Sequence, residues 1–290
     1  MKQIIIICSF IFSFNLGFSQ IFPADSTKLV CVTLNDGTKI IGKVTQNNER
    51  ELTVSSLDGR RQIIPQFFVK TISEINESDM SKNGKYLGKD NYCTRYFLTT
   101  NGLPIEKGKN YIQWNLFGPD IQFSVSDHFG VGIMTTWFAN PVVGSFKYSN
   151  KISKNVHYAI GGLVGTTTWR FNGGLGNGEN RGSGLALPFA ALTFGNGRNN
   201  INFSYGYGAS WKGLESQGTA LYSIAGMAKL SNKLSFVFDS FITKEFAFFT
   251  PNLRYHFTET NAFQFGFAFV QALGEFRQIP FPICQWYRRL

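Results

Sequence analysis

The sequence predicts an all-β chain: an antiparallel transmembrane β-barrel of about twelve strands, preceded by a small five-stranded β-module of the SH3 or Sm-like kind. Three observations carry this. Long stretches alternate with period two, as in Asn200–Lys212, "NINFSYGYGASWK", and such alternation makes a strand with two unlike faces. Aromatic residues make up 16% of the chain, while charged residues are also only 16%, well under the ~25% of ordinary soluble domains. No segment beyond the N-terminus is apolar over the length of a spanning helix, so any span of the bilayer falls to strands.

The alternation also says where the aromatic face points. In "NINFSYGYGASWK" the large residues are Ile201, Phe203, Tyr205, Tyr207 and Trp211, and between them stand Asn202, Ser204, Gly206, Gly208 and Ser210. A soluble sheet turns its aromatic face to a core and its charges to water. Here the second face is small and nearly uncharged. The same contrast sets Phe263, Phe265, Phe267 and Phe269 against Gln264, Gly266 and Ala268, and Phe249, Leu253, Tyr255 and Phe257 against Thr250, Asn252, Arg254 and His256. Lipid outside and a polar or filled lumen inside accounts for this. Trp114, Trp137, Trp169, Trp211 and Trp286 fall toward strand ends, as interfacial aromatic girdles require.

In chain order, residues 1–20, "MKQIIIICSFIFSFNLGFSQ", have one Lys, an apolar run and a Ser-Gln end. This is the layout of a secretory signal peptide, and it resembles those of the Bacteroidota. Residues 24–78 form the small module. "KLVCVTLNDGTKIIGKVTQ" holds two strands around Asp36-Gly37, "ELTVSSLDGRRQIIP" repeats the pattern around Asp58-Gly59, and "VKTISEI" supplies a fifth strand. Asp36-Gly37, Ile40, Gly42 and Val44 resemble the DG-x-x-I-x-G-x-V modules at the front of Bacteroidota envelope proteins. The module is expected to face the periplasm and to contact a protein or cell-wall partner; an exported chain has little access to nucleic acid. Residues 79–92 lack periodicity and read as a linker.

Residues 93–290 form the barrel. Tight turns at "SDH", "NKISKN", "GNGRNN", "LSNK" and "TETN" alternate with more varied loops such as "NGGLGNGENRGSG", the sidedness of outer-membrane barrels. The strands fall near 110–117, 119–126, 129–137, 142–149, 155–170, 184–194, 200–211, 219–230, 233–242, 247–257, 261–271 and 278–288. Ten strands is the alternative, with the first two merged. An even number returns the C-terminus to the periplasmic side. "TRYFLTTNGLPIEKGKNYIQWN", Thr94–Asn115, resembles the "TRYFFSPTA-x-PL-x-KGEGYYQN" lead-in of uncharacterised Bacteroidota outer-membrane barrels. Tyr96, Phe97, Pro104, Lys107, Gly108 and Tyr111 carry the likeness, which extends over Asn91–Leu290. The chain ends on Leu290 where an aromatic is usual in the group. The resemblance implies a fold and a location but no activity.

No residue set points to catalysis, and the chain is expected not to be an enzyme. His128 and His157 lie at tight turns and His256 beside one, at the wrong end for lipase chemistry, and the loop acids form no pair. The glycines of "GGLGNGEN" neither follow a parallel strand nor open a helix, so they do not cradle phosphate. Cys31, Cys93 and Cys284 have no metal spacing and read as free thiols, with a Cys93–Cys284 pairing as the alternative. No cofactor or metal is expected. The residues with most to say are polar groups that alternation points inward: Lys147, Lys212, Lys229, Asp239, Asn252 and Arg254. Either they line a basic pore for anionic solutes, or the lumen is plugged and Asp239 and Arg254 satisfy each other. Two functions stay open: a channel or transport-associated barrel, and a non-conducting scaffold anchored among outer-membrane lipids.

Overall fold

The computed structural model describes residues 28–75, 80, 86–166, 183–212, 215–272 and 278–290. The signal segment, linker residues 79 and 81–85, Trp169 and the "NGGLGNGENRG" loop lie outside the described residues. The chain folds as two compact units, Met1–Glu77 and Ser78–Leu290.

The first unit is an antiparallel five-stranded sheet of order β4-β3-β2-β1-β5, built from β1 (Leu29–Leu34), β2 (Lys39–Asn47), β3 (Glu51–Ser56), β4 (Arg61–Pro65) and β5 (Val69–Glu74). Its hairpins turn where the Asp-Gly pairs stand. Gly37 takes φ 86° and Gly59 φ 81°, a conformation costly for residues with a Cβ, and the Asp36 carboxylate accepts the Thr38 N–H at 2.8 Å. Val30, Val32, Val44, Leu52, Val54 and Ile64 form its core. Between β4 and β5 a single 3-10 turn, Gln66–Phe68, makes the corner.

The second unit is a closed twelve-stranded antiparallel barrel. Its strands are β6 (Tyr111–Asn115), β7 (Pro119–Ser124), β8 (Phe129–Thr135), β9 (Val142–Ser153), β10 (Val156–Thr166), β11 (Ser183–Gly195), β12 (Asn199–Lys212), β13 (Glu215–Lys229), β14 (Leu234–Ile242), β15 (Phe246–His256), β16 (Asn261–Ala272) and β17 (Gln278–Arg289). Each pairs with its sequence neighbour, and β17 closes on β6 with Trp286 opposite Trp114. Closure satisfies every edge, which a strand-built membrane protein requires. The merged, ten-strand alternative fails because Gly118, at φ 150°, turns the chain sharply between β6 and β7. One turn is tighter than its sequence implied: β9 runs on to Ser153, leaving only Lys154 and Asn155 between β9 and β10.

The faces sort as the alternation requires. Phe265 is 45% exposed on the outer wall while its neighbour Gln264 is 0% exposed inside. Phe203, Tyr205 and Tyr207 are also exposed, as are Phe249, Leu253 and Tyr255, against buried Asn202, Asn252 and Arg254. An outer belt of large apolar side chains on a closed barrel is stable in lipid and costly in water. The unit is an outer-membrane-type barrel.

Candidate functional site

The linker assignment does not hold to residue 92. Asp90 is wholly buried, and Tyr92 nearly so, because the segment from Lys89 to Ile105 enters the barrel at its tight-turn end and fills that half of the lumen. It is tied to the rim where it enters. The Asp90 N–H donates to the Gly197 carbonyl at 2.8 Å, Asn91 to the Glu259 carbonyl at 2.8 Å, and the Tyr92 hydroxyl to the Thr260 carbonyl. A tight reversal then brings Arg95 back against Thr100, with Tyr96, Phe97, Leu98 and Thr99 at its tip.

The inward-pointing residues singled out from the sequence hold this plug. Asp239 receives the N–H groups of Phe97, Leu98 and Thr99 at 3.1, 2.7 and 2.8 Å on one oxygen and the Thr99 hydroxyl at 2.7 Å on the other. Successive N–H groups in a turn make such an anion nest. Arg254 gathers the opposite polarity. It donates to the carbonyls of Tyr92, Arg95 and Tyr96 at 3.0, 2.7 and 3.2 Å, to Asp90 at 3.1 Å, and to Gln264 on β16 at 2.8 Å. Its guanidinium lies 4.8 Å over the Tyr287 ring. Lys147 donates to the carbonyls of Asn101 and Leu103 at 3.2 and 3.0 Å, and Lys229 to that of Lys89 at 3.3 Å. Asn252 turns to Thr250 on its own strand and does not touch the plug through a hydrogen bond. The side chain of Lys212 lies outside the described residues.

Two expectations are corrected by this arrangement. Asp239 and Arg254 do not satisfy each other. The β14–β15 register sets Asp239 opposite Thr250 and Arg254 opposite Ser235, too far apart along the strands to meet. Nor is there a basic pore lining at this level, since Lys147, Lys229 and Arg254 all spend their donors on plug carbonyls.

The residues the sequence reading missed are the plug's own. Asp90 accepts from Arg254 and from the Tyr92 N–H on one oxygen, and bonds Ser235 and His256 on the other at 2.7 and 2.9 Å. Burial works to raise the Asp90 carboxyl, but Arg254 and His256 outweigh it and hold it well below the usual carboxylate range. Burial, with a smaller contribution from the Asp90 charge, pushes the Tyr92 hydroxyl up to about 12. Arg95, at the reversal, pairs with Asp120 of β7. A signal was present: buried charges on strand faces require partners, and none stood at the right register on adjacent strands. Cys93 and Cys284 are free thiols and do not pair with each other.

Beyond the plug, toward the opposite end, the lumen changes character. A cavity of about 370 Å³ is walled by Met134, Val143, Leu163, Leu187, Leu221 and Phe241 and floored by Phe97, Leu98 and Thr99. The expectation that the inner face would be small or polar therefore holds along β12 but for only part of the length of strands such as β10, β11 and β14.

No protein-family model and no curated protein matches the chain. Among solved structures it is similar to a loop L8 deletion mutant of OmpT, an outer membrane protein of Vibrio cholerae, at 10% identity and TM-score 0.39, over 90% of this chain and 96% of that one. It is similar to outer-membrane-expressed OmpT of Vibrio cholerae at 10% identity and TM-score 0.37, over 91% and 95%. The sequence-based expectation that the chain is not an enzyme is corrected here. The solved structures found are OmpT outer membrane proteins at low identity, and the placement of three histidines is too narrow a ground to exclude catalysis.

Proposed function

We propose that the chain is a plugged, non-conducting outer-membrane barrel that anchors its N-terminal β-module in the periplasm, where the module meets a protein partner. The observation that carries this reading is the fixation of Lys89–Ile105. Asp239 and Arg254, both 0% exposed, hold the tip of the plug from two sides. A segment bonded this way is expensive to displace, because Asp239 would lose the donors that the plug supplies and Arg254 most of its acceptors, Gln264 apart. The module supports the second half of the reading. It exposes Ile63, Phe67 and Phe68, with the two Phe rings 4.2 Å apart. Apolar residues grouped on a small soluble surface mark contact sites.

Conductance in planar bilayers tests the proposal. The purified wild-type chain is expected to give no steady ion current. The Asp239→Ala, Arg254→Ala double variant, which frees the plug tip, is expected to give fluctuating openings. A steady current through the wild type overturns the reading and favours the channel.

A further inference from the structure

The cavity above the plug is chemically unlike a water-filled vestibule. Its β9–β14 side is hydrocarbon: Val143, Leu163, Leu187, Leu221 and Phe241 all point inward by strand alternation, and Met134 of β8 joins them. Its β6–β7 side is polar, with Gln113, Asn115 and Asp120 beside Arg95 of the plug. The polar side has unused capacity. Gln113 is 1% exposed, and neither its amide nitrogen nor its amide oxygen bonds any described residue. The Nε of Arg95 is also without a partner there, while its terminal nitrogen engages Asp120. A buried amide lacking both of its bonds is costly unless something else supplies them. The volume lies within the ~300–1,000 Å³ of small-molecule sites, which pair an apolar wall with a few convergent polar groups.

We propose that this half of the lumen binds a single-chain fatty acid, its hydrocarbon among Leu163, Leu187, Leu221 and Phe241 and its carboxyl group at Gln113 and Arg95. The amide N–H of Gln113 and the Nε–H of Arg95 donate to the carboxyl oxygens. Asp120 keeps the Arg95 guanidinium oriented from the other side. A ligand of this class matches the cavity in both of its characters. A soluble polar solute matches only one wall, and a plain hydrocarbon leaves Gln113 unsatisfied. The proposal goes beyond the plugged-anchor reading and does not depend on conductance.

The test is photolabelling of the full chain in phosphatidylcholine nanodiscs with dodecanoate carrying a diazirine on its chain, followed by mapping of the adducts. Adducts are expected on inward Leu163, Leu187 and Leu221, and excess unlabelled dodecanoate should suppress them. Gln113→Leu should weaken that labelling about ten-fold, the cost of about one to two hydrogen bonds. Leu163→Trp should block the chain site, and Val164→Trp, one residue along on the outer wall, should change nothing. Heat-modifiable gel migration certifies that each variant is folded. Adducts confined to outward Ile160 and Val164 overturn the site. Inward adducts that excess dodecanoate does not suppress also overturn it. If methyl dodecanoate competes as well as dodecanoate, the carboxyl assignment falls.

Discussion

The two halves of the barrel interior solve the same problem in opposite ways. Near the tight turns the wall projects Lys147, Lys229, Asp239, Arg254 and His256, and the chain's own Lys89–Ile105 segment answers them group by group. Toward the other end the wall projects Val143, Leu163, Leu187, Leu221 and Phe241, and the plug offers Phe97 and Leu98 as a floor beneath open space. Buried charge demands a partner of fixed geometry, so the polar half is filled by a folded segment. Apolar walls tolerate space and variable occupants, so the other half can remain a cavity. What fixes a lumen as closed or open is thus the demand of its side chains for partners, not its diameter.

The largest effect should come from breaking the polar half. Arg254→Ala removes the guanidinium from buried Asp90, which keeps Ser235, His256 and the Tyr92 N–H, and takes a donor from three plug carbonyls. A loss of about 3–5 kcal/mol is expected, read as the shift in urea midpoint of the heat-modifiable gel band. Adding Asp90→Asn to Arg254→Ala should recover part of that loss; if the two losses simply add, the pair is not coupled. Asp239→Ala should cost about 3 kcal/mol in the same assay, since it strands three N–H groups worth ~1–3 kcal/mol each that partly find water.

The outer wall gives a control of similar size by another cause. Phe265→Arg places a charge in hydrocarbon and should cost about 2–4 kcal/mol near the midplane. That loss should shrink when the protein is moved from bilayer to a water-rich micelle edge, whereas the Arg254→Ala loss should not. Smaller still is Tyr287→Phe. It removes the hydroxyl bonded to the Tyr96 carbonyl at 2.9 Å and to Gln285 at 2.6 Å, for about 1 kcal/mol.

Acid should act on the polar half through Asp90. The folded Asp90 carboxyl is lowered, by Arg254 and His256 against the opposing effect of burial. Its stabilisation is therefore fully present above the unfolded value of ~4 and is lost as pH falls below that toward the folded value. The urea midpoint of the wild type should decline as pH drops below about 4, and Asp90→Asn should flatten that decline. An unchanged acid profile in Asp90→Asn would remove Asp90 from the account.

The barrel was legible because its signals are local. Period-two runs such as Asn261–Ala272 and turn residues such as Thr258–Asn261 fix strand, face and hairpin from neighbours in sequence. The plug was not legible in this way. Lys89–Ile105 has no periodicity, and its partners stand at separations as different as 25 residues, for Arg95 and Asp120, and 188, for Phe97 and Gln285. Part of it was visible indirectly: Tyr96 and Phe97, which carried the resemblance to Bacteroidota barrels, sit at the plug tip against Ala225 and Phe248. The apolar half was hidden by averaging. In β14, "LSFVFDSFI", the inner face runs Ser235, Val237, Asp239, Phe241, so a face judged by its polar members conceals the change of character along its length.

Accessibility of two inward cysteines tests the central contrast most directly. In a background with Cys31, Cys93 and Cys284 replaced by Ser, Ala225→Cys lies under Tyr96 in the filled half, and Leu163→Cys lines the cavity. A water-soluble maleimide applied to the folded protein in nanodiscs should modify the cysteine at 163 and leave the one at 225 untouched. Adding Arg254→Ala and Asp239→Ala should open 225 to the reagent. Equal, rapid modification of both positions without those changes would mean that the lumen is not divided, and that the plug does not close it.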